Sequence, residues 1–145
     1  MRLTAFTEFG LRALMRMASD TDRAWNTGEI ADEFGISRHH LTKTMAALAN
    51  AGIVETRRGG GGGAKLARPA AEIQIGRVVR VLERDQALVE CFQPSGNACV
   101  ITPVCRLKGY LSLAEKAFLE ALDNYTLADC ALPARAPDFL KEAAT

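Results

Sequence analysis

Two short amphipathic segments on either side of Gly35 constrain the fold of this 145-residue chain more than any other feature. In 28–34 and again in 38–50, apolar residues recur every three or four positions, which is the spacing of one helix face. Gly35 is placed to end the first helix, and Thr27 and Ser37 are the predicted N-caps. Two short helices joined by a tight glycine-containing turn are typical of a helix-turn-helix unit.

A glycine-rich hairpin is predicted directly after the second helix. Extended runs at 53–58 and 64–68 flank five consecutive glycines at 59–63, and glycine closes such a turn at little steric cost. A helix-turn-helix followed by a β-hairpin is a winged helix. Helical spacing also predicts a first helix over 4–19 and a further helix over 73–84.

The longest regular pattern lies late in the chain. Apolar residues from Leu107 to Tyr125 follow steps of three and four, which predicts a helix of about five turns. A second apolar strip through Leu113 and Leu119 indicates a face for another subunit.

The predicted fold is therefore mainly α, a winged helix-turn-helix DNA-binding domain with a small β-hairpin wing and a long C-terminal dimerisation helix. Within one compact domain, the expected parts are a DNA-binding region at 1–68, a linker helix and cysteine loop at 69–106, the dimerisation helix at 107–131 and a tail at 132–145.

Charge is unevenly distributed, although the net charge is only +1. Lys and Arg outnumber Asp and Glu in 1–68, and Glu55 is the one acidic residue in 37–68. Such a basic patch suits double-stranded DNA, and a recognition helix enters the major groove by its N-terminal end. Arg38 could bind a guanine edge there, while neighbouring hydroxyls bind phosphates; the alternative is a solvated charged helix face. The predicted DNA-binding residues are Ser37, Arg38, His39, His40, Thr42, Lys43, Arg57, Arg58 and Lys65.

Four cysteines indicate metal or redox chemistry, because thiols stay reduced in the cytoplasm, which is the expected compartment. Seven residues separate Cys91 from Cys99 and five separate Cys99 from Cys105, on a stretch whose prolines and glycine predict an irregular loop. Three thiolates there could bind an iron–sulfur cluster or zinc, although zinc would need a fourth ligand. Redox-active thiols and inert cysteines remain open from spacing alone. Cys130 is expected to be a free thiol.

The sequence lacks the usual signals of an enzyme or a membrane protein. It shows no Ser/His/Asp set, and its glycine run lacks the Lys-Ser/Thr ending of a nucleotide-binding loop. It has no apolar run near the roughly 20 residues that cross a bilayer, and its first residues do not resemble a secretory signal. We therefore expect a cytoplasmic protein that is not an enzyme and has no membrane partner.

Several segments of the chain resemble one known family. They are MRLTAFTEFGLRAL at 1–14, ISRHHLTK at 36–43, RRGGGGGAKLARPA at 57–70, CVITPVCRLK at 99–108 and LDNYTLAD at 122–129. Over about residues 1–130 the chain is similar to the winged-helix iron–sulfur transcription regulators, the family of NsrR, IscR and RirA. The last two segments resemble the nitric-oxide sensor NsrR in particular.

The resemblance implies a homodimeric repressor that binds palindromic operators and senses nitric oxide. It also implies an iron–sulfur cluster, 4Fe–4S in preference to 2Fe–2S, on Cys91, Cys99 and Cys105, completed by Glu8 of the partner subunit. The family often has Asp at the position of Glu8. Lys108 stands where IscR-like proteins have a ligand His, and the spacing after Cys91 is more like that of RirA. An iron-responsive or thiol-redox regulator of the same fold is therefore the alternative.

Overall fold

A computed structural model describes residues 2–60 and 62–134. Within these ranges the chain forms five α-helices and one two-stranded antiparallel sheet, which confirms the predicted fold class. The helices and strands are α1 (Ala5–Met17), α2 (Thr27–Phe34), α3 (Arg38–Asn50), β1 (Val54–Arg57), β2 (Gly63–Leu66), α4 (Ile75–Leu82) and α5 (Arg106–Asp123). Short 3₁₀ turns occur at Ala70–Glu72, Glu90–Phe92, Thr102–Val104 and Leu127–Cys130. The predicted tail at 132–145 lies outside the described residues beyond position 134.

Side-chain caps fix where the first two helices begin. The Thr4 hydroxyl oxygen accepts a hydrogen bond from the backbone N–H of Thr7 at 3.3 Å, so α1 begins where its sequence predicts. The prediction that Thr27 caps α2 is wrong by one residue. Asn26 is the cap, and its Oδ1 accepts from two backbone N–H groups of the first turn, at 2.8 and 3.3 Å. A carboxamide oxygen one residue earlier reaches both donors, which leaves Thr27 free to be the first helical residue.

The turn between α2 and α3 depends on Gly35. This residue has φ 63° and ψ 34°, in the left-handed region that a side chain would disfavour, and it ends α2 as predicted. The inner side of α3 is apolar: Leu41 and Leu48 are fully buried and Met45 nearly so. The helix-turn-helix predicted from the sequence is therefore present, with its apolar faces packed together.

The wing is attached to the loop that precedes α2. In the hairpin Val54 lies opposite Leu66, and the backbones of Trp25 and Ala64 exchange two hydrogen bonds, at 2.8 and 2.7 Å. A Cβ on Gly63 would lie 2.7 Å from the Trp25 carbonyl oxygen, so this close approach requires glycine. The base of the wing is thus fixed against the helix-turn-helix.

The core of the winged helix contains one charged side chain. Arg16 is only 2% exposed, and its guanidinium forms a two-pronged ion pair with the Glu33 carboxylate, which includes an Nε–Oε2 hydrogen bond of 2.9 Å. Arg16 also donates to the Pro133 carbonyl oxygen at 3.1 Å. No sequence pattern indicates this burial, because an arginine is normally solvent-exposed unless it is paired.

A tight junction joins α4 to α5. A Cβ on Gly76 would lie 2.1 Å from Asp123 Oδ1 and 2.7 Å from the Leu119 carbonyl oxygen, so the two helices approach each other only because glycine is there. Arg80 donates to both carboxylate oxygens of Asp123 at 2.7 Å, and this hydrogen bonding lowers the pKa of Asp123. The start of α4 and the end of α5 are therefore held together.

The outer face of α5 remains uncovered. Counting only the described residues, none of the side chains of α5 is buried. Leu107, Tyr110 and Leu113 are 59%, 62% and 66% exposed, although the sequence places them in apolar positions. The helix is present as predicted, but a single chain does not bury its apolar stripe.

Candidate nucleic-acid interface and cysteine loop

The N-terminal end of α3 presents a polar surface. The apolar Leu41 in this segment is fully buried, whereas its polar neighbours are exposed. The exposed side chains are those of Ser37, Arg38, His39, His40, Thr42 and Lys43. The structure therefore gathers the predicted recognition residues at one accessible helix end, and their contact with DNA stays a prediction.

The hydroxyl groups of Ser37 and Thr42 differ in whether their hydrogen is already used in a hydrogen bond. Ser37 occupies the N-cap position, as predicted, but within the described chain its side chain makes no capping hydrogen bond. The Thr42 hydroxyl donates to the Arg38 carbonyl oxygen at 2.7 Å, one turn earlier. A phosphate needs a donor, so Ser37 is the better placed of the two hydroxyls to bind one.

Arg38 has an acidic partner that the sequence does not indicate. Asp32, on α2, accepts a hydrogen bond from Arg38 Nη2 through its Oδ2 at 2.8 Å, and both side chains are about two-thirds exposed. The guanidinium also lies against Gly28, where an added Cβ would be 3.1 Å from Arg38 Cζ. Only the turn geometry brings residues six positions apart together here, and no helical repeat signals the pair.

The wing supplies the other predicted basic residues. Arg57 and Arg58 lie exposed at the end of β1, next to the glycine run. Lys65 is half-buried, and the strand register places it directly opposite Glu55. A cross-strand carboxylate offsets part of its charge, so the two arginines are the stronger candidates for phosphate contacts.

The three clustered cysteines lie along the irregular stretch between α4 and α5. Cys91 is in a 3₁₀ turn, Cys99 lies in a stretch without regular secondary structure, and Cys105 is the N-cap of α5. All three are half-exposed, and each thiol is free in the described structure. Three accessible thiols on a loop are a donor set that fits an iron–sulfur cluster.

Local hydrogen bonds connect the cysteine-bearing turns. The Glu90 carboxylate accepts from the Ala98 backbone N–H at 2.7 Å, which links the turn of Cys91 to the residue before Cys99. The Cys99 N–H donates to Asn97 Oδ1 at 3.0 Å, and the Thr102 hydroxyl donates to the Cys99 carbonyl oxygen at 2.9 Å. These bonds order the backbone of the loop but leave its thiols available.

The single chain does not assemble a complete metal site. Across residues 2–60 and 62–134, no three His, Cys, Asp or Glu side chains stand close enough together to hold a metal ion. Glu8, the predicted fourth ligand, is on α1, half-exposed and 3.5 Å from Arg12. Glu8 and Arg12 are four residues apart on α1 and therefore share one helix face. The described chain thus leaves Glu8 available to another molecule.

Cys130 differs from the other three cysteines. Its thiol donates weakly to the carbonyl oxygens of Thr126 and Leu127, at 3.8 and 3.6 Å, and it packs against the hydrophobic core. Burial, with the nearby Asp129 charge, raises the pKa of Cys130. A thiol with a raised pKa is a poorer nucleophile and a poorer metal ligand, and the role of Cys130 as a free thiol stays a prediction.

This architecture defines a class, the winged-helix transcriptional regulators. Residues 3–132 match the Rrf2 family, described as iron-dependent transcriptional regulators. The chain is 51% identical over 130 residues to the HTH-type transcriptional regulator NsrR of Geobacillus kaustophilus (strain HTA426), covering 89% of this chain and 88% of that protein. The chain therefore belongs to the Rrf2 family, as the resemblance predicted. These relatives are regulators rather than enzymes, in agreement with the sequence prediction.

Solved structures show the same fold. The structure is similar to T. potens IscR, with a TM-score of 0.69 and 26% identity, covering 99% of this chain and 88% of that one. It is also similar to CymR, the global cysteine regulator of B. subtilis, with a TM-score of 0.69 and 26% identity, covering 90% and 96%. Of the helices that the structure describes, none combines the length and apolar character needed to span a bilayer.

Proposed function

We propose that this chain is a homodimeric DNA-binding repressor that senses nitric oxide through an iron–sulfur cluster, 4Fe–4S in preference to 2Fe–2S. Three free, half-exposed thiols on the loop that leads into α5 carry the proposal, together with the 51% identity to a protein named NsrR.

We call residues 2–60 and 62–68 the reading head. Residues 85–123, which comprise the cysteine loop and α5, are the sensor arm. A regulator of transcription acts where the chromosome lies, so the cytoplasm remains the predicted compartment.

The reading head binds one half of a palindromic operator. The exposed end of α3 enters the major groove, where Arg38 reads base edges, while Arg57 and Arg58 of the wing contact the phosphate backbone. A two-fold symmetric dimer presents two such heads, and this symmetry requires a palindromic site. The apolar stripe of α5, exposed in one chain, supplies the dimer contact.

The cluster is held by Cys91, Cys99 and Cys105, with Glu8 of the partner subunit as the further ligand. When bound, the cluster supplies iron that reacts with nitric oxide. The thiols hold the group at the entrance to α5, and the carboxylate joins the loop of one chain to α1 of the other. A carboxylate suits harder cations than a thiolate does, so Glu8 would be the weakest of the four ligands.

Hydrogen bonds between the end of α4 and the start of α1 connect the cysteine loop to the reading head. Glu83, at the end of α4, accepts hydrogen bonds from the backbone N–H and the hydroxyl of Thr4, both at 2.8 Å. The start of the cysteine loop is therefore tied to the start of α1 in the same chain, while Glu8 on that helix serves the partner. Glu8 would link the two chains only while it serves as a ligand, and the spacing of the two heads would depend on that link.

The experiment that tests this function is anaerobic purification of the full chain, followed by absorbance and native mass spectra before and after nitric oxide. We expect a coloured dimer that carries iron and sulfide, binds a selected palindromic DNA and releases it after nitric oxide. A colourless dimer with the same DNA affinity under all conditions would refute the proposal.

Variants test the ligand set. Cys99→Ser should abolish cluster retention, whereas Cys130→Ser should leave it unchanged because that thiol is buried against the core. Glu8→Ala should weaken retention without loss of folding. Arg12→Ala breaks the same Glu8 ion pair but keeps the carboxylate, so it should retain the cluster. Equal retention by the Glu8 and Arg12 variants would remove Glu8 from the site.

Two observations support other signals for the same regulator. The family description names iron dependence, and an iron-responsive protein would lose its cluster to a mild chelator rather than to nitric oxide. One structural neighbour is an oxidized form of S. aureus CymR, which supports a thiol-redox regulator. In that case the anaerobic protein would be colourless, and its DNA affinity would change with peroxide.

A further inference from the structure

The ion pair between Arg38 and Asp32 stands at the centre of the candidate DNA surface, yet it contributes little to the fold. The Arg38 and Asp32 side chains are 68% and 66% exposed, and ion pairs between such exposed side chains add little to folding stability. The pair joins the first residue of the recognition helix to the helix before it. We therefore examine the effect of the ion pair on the orientation of Arg38 rather than on the stability of the protein.

Two contacts restrict the guanidinium from different sides. Asp32 Oδ2 accepts from Nη2 at 2.8 Å, and the Gly28 backbone lies so close that a Cβ there would be 3.1 Å from Cζ and 3.2 Å from Nη1. A free arginine side chain on a helix surface samples many rotamers, and binding must then select one of them. Holding the group in place beforehand reduces that cost.

The carboxylate leaves enough donors for a base. A guanidinium has five N–H donors, and Asp32 occupies one of them on Nη2. The remaining donors suffice for a bidentate contact with O6 and N7 of guanine, the pattern that the major groove offers at no other base. A carboxylate that occupies one donor thus permits base reading while it restricts the orientation of the guanidinium.

The same carboxylate also opposes indiscriminate binding. It lies on the surface that approaches the DNA, where it repels phosphates and offsets the charge of Arg38. A sequence that gives Arg38 two acceptors compensates for this repulsion, and other sequences do not. Asp32 therefore lowers affinity for all DNA, while the orientation it gives to Arg38 favours the sequence that offers two acceptors.

We propose that Asp32 is a positioning residue that determines base specificity, by holding Arg38 in the orientation that reads a guanine in each half-site. The inference rests on the proposed DNA-reading function. It adds to that function a residue on α2 that touches no base itself.

The experiment compares variants of the full-length dimer, purified anaerobically. Wild-type protein first selects its preferred site from a pool of random duplex DNA, and each base pair of that site is then changed in turn in binding competitions. The variants are Arg38→Ala, Asp32→Ala and Asp32→Glu. Glu29→Ala is the matched control, because Glu29 is an exposed acid on the same helix that pairs with Arg23 instead of Arg38.

We expect Arg38→Ala to lose about tenfold discrimination at one G·C pair of each half-site, as for a lost bidentate contact. Asp32→Ala should lose most of the preference at the same pair, while its affinity for unrelated DNA stays equal or rises. Asp32→Glu, which keeps a carboxylate, should retain more of the preference than Asp32→Ala, and Glu29→Ala should keep all of it.

Several results would overturn the inference. The inference is wrong if Asp32→Ala keeps the wild-type preference at the pair that depends on Arg38, loses affinity equally for all sequences, or behaves as Glu29→Ala does. If wild-type protein selects DNA but Arg38→Ala changes no base preference, the inference fails and the DNA-binding function stands. If wild-type protein selects no sequence at all, the proposed function itself fails, and the inference fails with it.

Discussion

The reading head and the sensor arm differ in what covers their apolar side chains. In the head, Leu14, Leu41 and Leu48 are fully buried by other parts of the same chain. In the described arm, no residue of α5 is buried, and Val100 and Val104 of the cysteine loop are 90% and 81% exposed. The two regions have similar helical patterns in the sequence. They differ in whether their apolar faces pack against other parts of the same chain.

This difference indicates how the protein divides its tasks. A head whose contacts are internal keeps its shape when the signal changes, because each helix is held by its own core. In the proposed dimer, an arm whose apolar face and candidate ligands lack partners within the described chain takes its final geometry from the second chain and the bound group. The sensing part is then the part whose structure depends on its surroundings.

The largest expected effect tests whether the head is held internally. Arg16→Ala leaves the Glu33 carboxylate without its buried partner, and should lower the free energy of unfolding by about 3–5 kcal/mol. Arg12→Ala, one turn away and exposed, should change it by less than about 0.5 kcal/mol. Urea unfolding of the two variants measures the difference, and equal losses would contradict an internally organised head.

The junction between α4 and α5 should be the next most sensitive place. Gly76→Ala forces a methyl group toward Asp123 and a backbone oxygen, and should cost about 1–3 kcal/mol in thermal unfolding. Gly109→Ala is the matched change on α5, where the described residues leave the space around a Cβ empty, and it should be neutral or stabilising. A destabilised Gly109 variant would show that a partner packs tightly on that face.

DNA binding should separate two kinds of basic residue in the head. Arg38→Ala should cost about 1–3 kcal/mol and relax the preference at one base position. Lys65→Ala should weaken binding to all sequences alike and reduce the salt slope by at most about 1, since Glu55 lies opposite it. Titrations at several salt concentrations distinguish the two, and an unchanged base preference in Arg38→Ala would remove Arg38 from base reading.

The smallest effect on the fold is expected in the arm. Leu113→Ala removes an exposed side chain, so it should change the unfolding of the single chain by less than about 0.5 kcal/mol. It should nevertheless shift the monomer–dimer equilibrium toward monomer in sedimentation velocity runs. Lys116→Ala, an exposed polar change on the same helix, is the control. A dimer equally stable in both variants would place the dimer contact elsewhere.

Most of the fold was predictable because its signals are local. Apolar spacing located the helices, and Gly35 marked the turn, since a left-handed backbone favours glycine. The cap of α2 was misplaced by one residue, because Thr27 and Asn26 are both good caps and only geometry chooses between them. Ser37 was correctly located as a cap position, but its hydroxyl makes no capping bond within the described chain.

The candidate site was predictable in its residue types but not in its arrangement. The cysteine spacing and the basic end of α3 are visible in the sequence, because they are clusters along the chain. The pairs Arg38–Asp32 and Arg80–Asp123 are not visible, because each joins different helices. Glu8 could be assigned to the cluster only by resemblance, since no single-chain contact brings it to the cysteines.

The sequence alone determined the helix-turn-helix, the wing, the long terminal helix and the three-cysteine loop, because periodicity, glycine and cysteine act over a few residues. The tertiary structure alone decided that Arg16 is buried and that α5 packs closely against Gly76. It also decided that Asp32 accepts a hydrogen bond from Arg38 and that the apolar face of α5 is exposed in the described chain. These facts depend on distances between segments far apart in the chain. Such distances follow from packing, which no local pattern encodes.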